Sequence, residues 1–397
     1  MTGCQTNCIH LTVIFVICRM IKNIAFYLLI ILVSASCKKS GGTTPNPPDP
    51  VPVPVSQASL QYRGGDLSFL PAIEQAGTKF YTSDNVQQDA LTIMKNSGMN
   101  IVRLRLWHTP ADAHSGLAEV ETFAQRIKTA GLNWWLDFHY SDTWADPGKQ
   151  TIPVAWQSLS FTILLDSVYN YTYRVMNELK IKNSLPLIVQ IGNETNSGML
   201  WDKGRVGGTF DTNWPQYAAL IKKGIDAVKA VDPTIKIMLH FAGTNGAPWY
   251  FGNIKTQAVP YDIIGLSYYY WWHNRNLTEL QTDVNALAAT FDKDIFITET
   301  AYPFTSNWND YTNNVVGSTT ALISGYDATT AGQLKYLTDL RTTIHNIPNN
   351  HGIGFCYWAP DWVAFMGTTA TNGSTWENLA LFDFNNKAQE GLKAFAQ

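Results

Sequence analysis

Eight short runs of apolar or alternating residues recur along this chain, and amphipathic stretches separate them. The runs are 62–66, 100–107, 133–139, 187–193, 235–240, 261–268, 294–299 and 352–358. Between them, 87–97, 120–130, 163–179, 214–231, 277–291 and 330–345 carry apolar residues at helical spacing. Strands alternating with helices require parallel pairing through crossovers. Residues 58–397 contain no second linker, low-complexity stretch or short repeat. This part of the chain therefore predicts one α/β domain, a (β/α)8 barrel of the TIM type with long βα loops. The competing arrangement is an open doubly wound sheet. No Gly-rich nucleotide fingerprint follows the first run, which weakens it.

Polar residues gather where the predicted strands end. Asp66, Arg105 and Trp107, Asp137 and His139, Asn193 and Glu194, His240, Tyr268, Glu299 and Trp358 each close a run. One polar residue after a strand is ordinarily a loop cap. In a barrel, eight such ends share one face, where enzymes of this architecture do their chemistry.

Glu194 and Glu299 stand out because each follows an apolar strand that should be buried and so meets a partly desolvated mouth. They close the fourth and seventh runs and face each other across the barrel. Glycoside hydrolysis needs such a pair, one carboxyl protonated to serve the leaving oxygen and one ionised. A separation near about 5–5.5 Å permits a covalent intermediate and retention of configuration. An Asn immediately before the acid is placed to bond the sugar 2-hydroxyl, and Asn193-Glu194 supplies that order. For either Glu alone, a capping or ion-paired carboxylate is the plainer reading.

Arg103 and Arg105 alternate with Leu104 and Leu106, so both point to one face. A buried guanidinium needs carboxylate partners. Arg105, nearer the strand's end, is placed to keep Glu299 ionised. Alternatively both arginines are structural and pair with Asp66 or Asp137. His139 and His240 read as donors to sugar or to Glu194, or as simple caps. Neither H-E-x-x-H nor CxxC occurs, so zinc has no support. Among the tryptophans, Trp134, Trp135, Trp156, Trp271 and Trp272 read mostly as core, whereas Trp144 lies in a polar loop suited to sugar stacking.

Composition agrees with these readings. Net charge is −3 with 15% charged residues, which argues against nucleic acid. A hydrophobic content of 45% excludes a wholly disordered chain. A core needs some of the 14 Trp, 18 Tyr and 18 Phe, but flat rings also stack on sugars.

Four of the five cysteines precede residue 38, leaving Cys356 in the domain as an inert buried thiol. Met20–Asn23 is a short basic region, Ile24–Val33 an apolar run of ten, and Ser34-Ala35-Ser36 precede Cys37. Ten apolar residues suit a signal peptide and are too short to span a bilayer. Small residues before Cys37 resemble a bacterial lipobox, which makes Cys37 the lipidation site, residues 1–37 a signal peptide and Met20 a candidate start. An uncleaved anchor helix is the alternative, but Arg19, Lys22 and Asn23 interrupt it. Residues 38–57 hold six prolines and read as a semi-rigid spacer. The expected location is the outer membrane, which Lys38 favours over the inner, with the lipid as the sole membrane contact and the protein as a monomer.

Together the segments Gly64–Ser68, Asn100–Trp107, Leu136–Gln150, Gln190–Glu194, Gly265–Tyr269, Thr298–Pro303 and Trp376–Asp383 resemble glycoside hydrolase family 53, the arabinogalactan endo-β-1,4-galactanases. The block Asp137–Gln150 is the most specific of them. The resemblance implies a (β/α)8 barrel, a retaining mechanism, Glu194 as acid/base, Glu299 as nucleophile and β-1,4-galactan as substrate. It also implies that Asp66, Arg105, His139, Asp142, Trp144, Asn193, His240, Tyr268 and Trp358 line the cleft. The chemistry itself needs no cofactor. Some bacterial members carry a calcium loop after the nucleophile. Here Asp310 and Asn314, with Ser374 and Glu377, fall at ligand positions for Ca2+, while Trp308 and Thr312 replace expected ligands. Two rival functions are another retaining barrel glycosidase, such as a mannanase or xylanase, and a non-catalytic glycan-binding lipoprotein.

Overall fold

The computed structural model describes residues 59–397. The predicted signal peptide, Cys37 and the Pro-rich spacer lie outside the described residues. Eight parallel strands close into a barrel in sequence order. They are β1 (Tyr62–Asp66), β2 (Ile101–Leu106), β3 (Asn133–Phe138), β4 (Ile188–Ile191), β5 (Lys236–Ala242), β6 (Ile263–Tyr268), β7 (Asp294–Thr300) and β8 (Gly352–Trp358). β8 pairs back onto β1, from Tyr62 opposite Gly354 to Asp66 opposite Trp358. The open-sheet alternative is thereby excluded.

Seven longer helices cover the outside: α1 (Ala90–Asn96), α2 (Leu117–Thr129), α3 (Phe161–Ile181), α4 (Trp214–Val231), α5 (Ala247–Thr256), α6 (Leu277–Phe291) and α7 (Thr330–His345). Their starts follow local chemistry. Ser160 accepts the Ile163 N–H, Thr329 accepts the Gly332 N–H, and Asn276 with Glu279 forms a reciprocal capping box. α1 begins later than the expected residue 87, because Gln87–Gln88 pairs with Phe80–Tyr81 in a small antiparallel ribbon and Asp89 supplies the cap. α5 was not anticipated. Pro248 and Gly252 interrupt its pattern, yet Pro sits acceptably in the first turn after left-handed Gly246.

The barrel interior is stratified by strand alternation. Its lower layer is apolar: Ile101, Trp135, Ile188, Met238, Ile263, Phe296, Ile353 and Cys356 pack together. Two residues further along the same faces come Arg103, Asp137, Gln190 and His240, all buried. An oily plug therefore closes the bottom, and a charged and hydrogen-bonding layer sits above it, beneath the C-terminal mouth. A second apolar cluster fills the space between strands and helices. No helix of the described residues is long and apolar enough to cross a membrane.

Candidate active site

Arg103 is the centre of the polar layer. Its guanidinium donates to Asp66 Oδ2 (3.1 Å), Glu299 Oε1 (2.6 Å), Asp137 Oδ2 (2.8 Å) and Asn193 Oδ1 (2.7 Å). Burial opposes its charge, but Asp137, Glu299 and Asp66 outweigh that and hold its pKa well above the usual value. Burial likewise works against the charge on Asp137, and Arg103 and His139 reverse it, so its pKa is lowered. Strand alternation was right that Arg103 and Arg105 share a face, but the partner of Glu299 is Arg103. Arg105 lies one layer higher, between the rings of Phe69 (4.1 Å) and Trp144 (4.3 Å), with its Nε on Ser115 Oγ. With no carboxylate in contact, burial pulls it down to about 10.

A break in β7 places Glu299. Leu266 stands opposite Ile297 and Ser267 opposite Glu299, so Thr298 is an extra residue and the pairing shifts there. Such a bulge re-aims the side chain that follows it. Thr298 turns inward against Met238. Strict alternation would then send Glu299 outward, and the bulge returns it to the mouth. Glu194 arrives by a different device. Gly192 (φ 83°) and Glu194 itself (φ 45°) are left-handed, turning the chain sharply after β4. The turn is held by the Glu194 N–H, which donates to His240 Nδ1 (3.3 Å).

One carboxylate oxygen each of Glu194 and Glu299 and a ring nitrogen of His240 lie within 4.8 Å of one another. Glu299 is held by donors on both oxygens, Arg103 on Oε1 and the Tyr269 hydroxyl on Oε2 (3.1 Å). Among the described residues Glu194 receives only the Ser267 hydroxyl (2.5 Å). Burial, then the charge of Glu299, push Glu194 up to about 8. Burial also raises Glu299, while Arg103 pulls it back. At neutral pH the shared proton therefore belongs on Glu194. Burial and the positive charge of Arg103 hold His240 well below its ordinary value, so its imidazole is neutral.

A cleft of about 410 Å3 opens over the pair. Of the expected substrate-binding residues, Trp144, Asn193 and Trp358 line it. The others sit behind or beside it. Asp66 pairs with Arg103, and His139 binds Asp137 (3.0 Å) and accepts the Ala145 N–H. His240 Nε2 meets Ser267 Oγ (3.0 Å), so it reaches the Glu194 carboxylate through that hydroxyl. Asp142 staples its loop by accepting the N–H groups of Thr109 and Val154. Tyr268 points away from the barrel axis, its hydroxyl donating to the Arg275 carbonyl.

Several lining residues were not anticipated: Asp146, Tyr269, Trp272, His273 and Trp376. Trp272 is the exception among the tryptophans that read mostly as core, being 57% exposed. The signal for Tyr269 was present in the alternation, since Ser267 and its neighbour in the next loop, not Tyr268, follow the inward face of β6.

The proposed cation ligands come from two loops, Asp310 and Asn314 after β7 and Ser374 and Glu377 after β8. Glu377 Oε1 accepts the Asn309 N–H (2.5 Å) and lies 3.4 Å from both the Asp310 N–H and Asn314 Nδ2. Asp310 Oδ2, Asn314 Oδ1 and Glu377 Oε2 are buried without a hydrogen-bond partner. These three orphaned oxygens are hard donors of the kind Ca2+ takes, and a full shell of about six to eight would need further oxygens. Ser374 does not join them, because its hydroxyl donates to the Trp362 carbonyl and accepts the Trp376 N–H. Burial, with Asp310 nearby, raises the Glu377 pKa.

Comparison with known proteins agrees with this geometry. The chain is 36% identical over 342 residues to an arabinogalactan endo-beta-1,4-galactanase of Cellvibrio japonicus, covering 84% of this chain and 89% of that one. Its fold is similar to that of a GH53 catalytic domain of Ignisphaera aggregans, with a TM-score of 0.79, 37% identity and coverage of 87% and 98%. A structure of fungal beta-1,4-galactanases superimposes with a TM-score of 0.75 at 30% identity, covering 85% of this chain and 99% of that one. The sequence profile described as "Glycosyl hydrolase family 53" matches residues 62–395, and the chain belongs to that family.

Proposed function

We propose that this protein is an endo-β-1,4-galactanase that cleaves the galactan of type I arabinogalactan by double displacement with retention. The observation that carries the mechanism is the close approach of two carboxyl groups with opposite surroundings, Glu299 bridged to a cation and Glu194 beside a lone hydroxyl. In the first step a Glu299 oxygen bonds to the anomeric carbon as its bond to the glycosidic oxygen breaks, and Glu194 gives that oxygen its proton. In the second, Glu194 takes a proton from water, the water oxygen bonds to the anomeric carbon, and Glu299 leaves. Asn193 is fixed by Arg103 and by its own Nδ2 bond to the Ala145 carbonyl (2.8 Å), so it meets the sugar without reorienting. The galactanases it resembles supply the linkage. A mannanase or xylanase reading has no residue in its favour, and the intact acid pair argues against a purely binding protein.

Incubation with linear β-1,4-galactan, mannan and xylan tests the reading. Galacto-oligosaccharides released from the first alone, with β-anomers formed initially, are expected. Equal release from xylan or mannan, or initial α-anomers, would overturn it.

The remaining proposals concern the chain's setting. Cys37 carries a lipid that tethers the domain to the outer membrane through the Pro-rich spacer, supported by the small residues before it. Loss of labelled-palmitate incorporation in Cys37→Ser is the expected result. Asp310, Asn314 and Glu377 hold a structural Ca2+ that takes no part in bond breaking, supported by their three orphaned oxygens.

A further inference from the structure

His273 ends the single helical turn Tyr270–His273 that follows β6, and it lines the cleft. Its Nδ1 accepts the backbone N–H of Tyr269 at 3.0 Å. Burial lowers its pKa to about 4, so the ring is neutral at working pH. A neutral imidazole has one proton, and a nitrogen that accepts cannot carry it. The proton is therefore on Nε2. Among the described residues no group accepts from that nitrogen.

The ring's place is built. Gly243 has φ +74°, and a Cβ there would come within 2.9 Å of His273 Cδ2, so the imidazole packs where only glycine leaves room. The residue that His273 holds is Tyr269, whose hydroxyl donates to Glu299 Oε2. One ring nitrogen thus holds the backbone that positions the nucleophile, and the other carries a donor on a side chain that lines the cleft together with exposed Trp272.

We infer that His273 has two separable tasks: Nε2–H recognises a galactosyl hydroxyl in the cleft, and Nδ1 positions Tyr269 against Glu299. This rests on the galactanase reading. A fixed neutral donor suits an uncharged polyol, because it binds oxygen without demanding a counter-charge. The two tasks need different atoms, so two near-isosteric changes divide them. An Asn amide oxygen reaches the place of Nδ1 and leaves nothing at Nε2. A Gln amide reaches the place of Nε2 and leaves nothing at Nδ1.

Kinetics of His273→Asn and His273→Gln on galactotetraose, with melting curves to establish folding, test the inference. The expected result for His273→Asn is a KM raised about five- to tenfold, as for one lost hydrogen bond, with kcat within about twofold. His273→Gln should show the converse, with kcat lowered and KM little changed. In a Tyr269→Phe background His273→Gln should cost no further kcat, because the two act on Glu299 in series. Equal losses in both parameters for both variants, or an unchanged KM in His273→Asn, would overturn the division of tasks. Galactotetraose affinity measured by calorimetry reads recognition independently of turnover. If the wild-type protein binds the ligand but releases no product, the reaction assignment fails, while weaker binding by His273→Asn still supports the recognition role and unchanged binding overturns it.

Discussion

Arg103 Nη1 lies 2.6 Å from Glu299 Oε1, a buried ion pair between the second and seventh strands of the barrel. The same guanidinium reaches Asp66 and Asp137, so one cation offsets three carboxylates. That arrangement decides which of the two active-site glutamates keeps its charge. It also makes the site's chemistry inseparable from the barrel's internal electrostatics.

Glu299→Gln should lower galactan hydrolysis by at least about a thousandfold while galactotetraose binding changes little. The amide oxygen still accepts from Arg103 and the amide N–H can donate to the Tyr269 oxygen, so the cleft keeps its shape. Turnover and calorimetric binding measured on the same preparation check this, and a variant retaining a tenth of the activity would exclude Glu299 as nucleophile.

Glu194 must be protonated to serve the leaving oxygen, and its pKa is pushed up to about 8. kcat/KM should therefore hold at neutral pH and fall as pH rises through about 8. The Ser267 hydroxyl stabilises the ionised carboxylate, so Ser267→Ala should move this basic limb to higher pH. A limb that stays in place, or moves down, would remove Ser267 from the control of Glu194.

Arg103→Met should leave Asp66, Asp137 and Glu299 buried without their cation. The expected cost is about 3–5 kcal/mol of folding stability together with loss of activity. Arg103→Lys keeps a charge but cannot fork to four acceptors, so it should recover more stability than activity. Denaturant unfolding of both variants provides the comparison, and an Arg103→Met protein as stable as the parent would contradict the role of the hub.

Chelation should lower the melting temperature of the wild-type domain by several degrees. Calcium at a hundredfold above its Kd contributes about 2.7 kcal/mol to a folded state that alone binds it. Asp310→Ala should melt at the same temperature with or without Ca2+. A wild-type melting curve indifferent to both chelator and calcium would count against the loop as a cation site.

The architecture and the acid pair were legible because they rest on local pattern: apolar runs, helical spacing and a glutamate after each of two buried strands. What escaped depends on register. Arg103 and Arg105 look equivalent in an alternating strand, and only the height of β7 relative to β2 shows which meets Glu299. The extra residue Thr298 has no signature of its own, although it returns Glu299 to the mouth. Tyr268 and Tyr269 differ by a single position, yet the first donates to the Arg275 carbonyl outside the barrel and the second to Glu299. Trp272 departs from the core reading that suits most of the tryptophans, because a run of aromatics looks like core until the loop carrying it is placed at the mouth. The bounds of α1 and α5 shifted for local reasons, a two-residue ribbon in one case and a tolerated first-turn proline in the other.

The four-way grip of Arg103 bears on how the chain matures. Its partners come from positions 37, 34, 90 and 196 residues away, the last on the seventh strand. A nascent chain extruded only through β6 holds two carboxylates against that one guanidinium, and neither the attacking oxygen nor the pocket roof exists. Catalytic competence therefore arrives in a single event late in synthesis, when the cylinder shuts, and no shortened version of the domain should be a weaker but working enzyme.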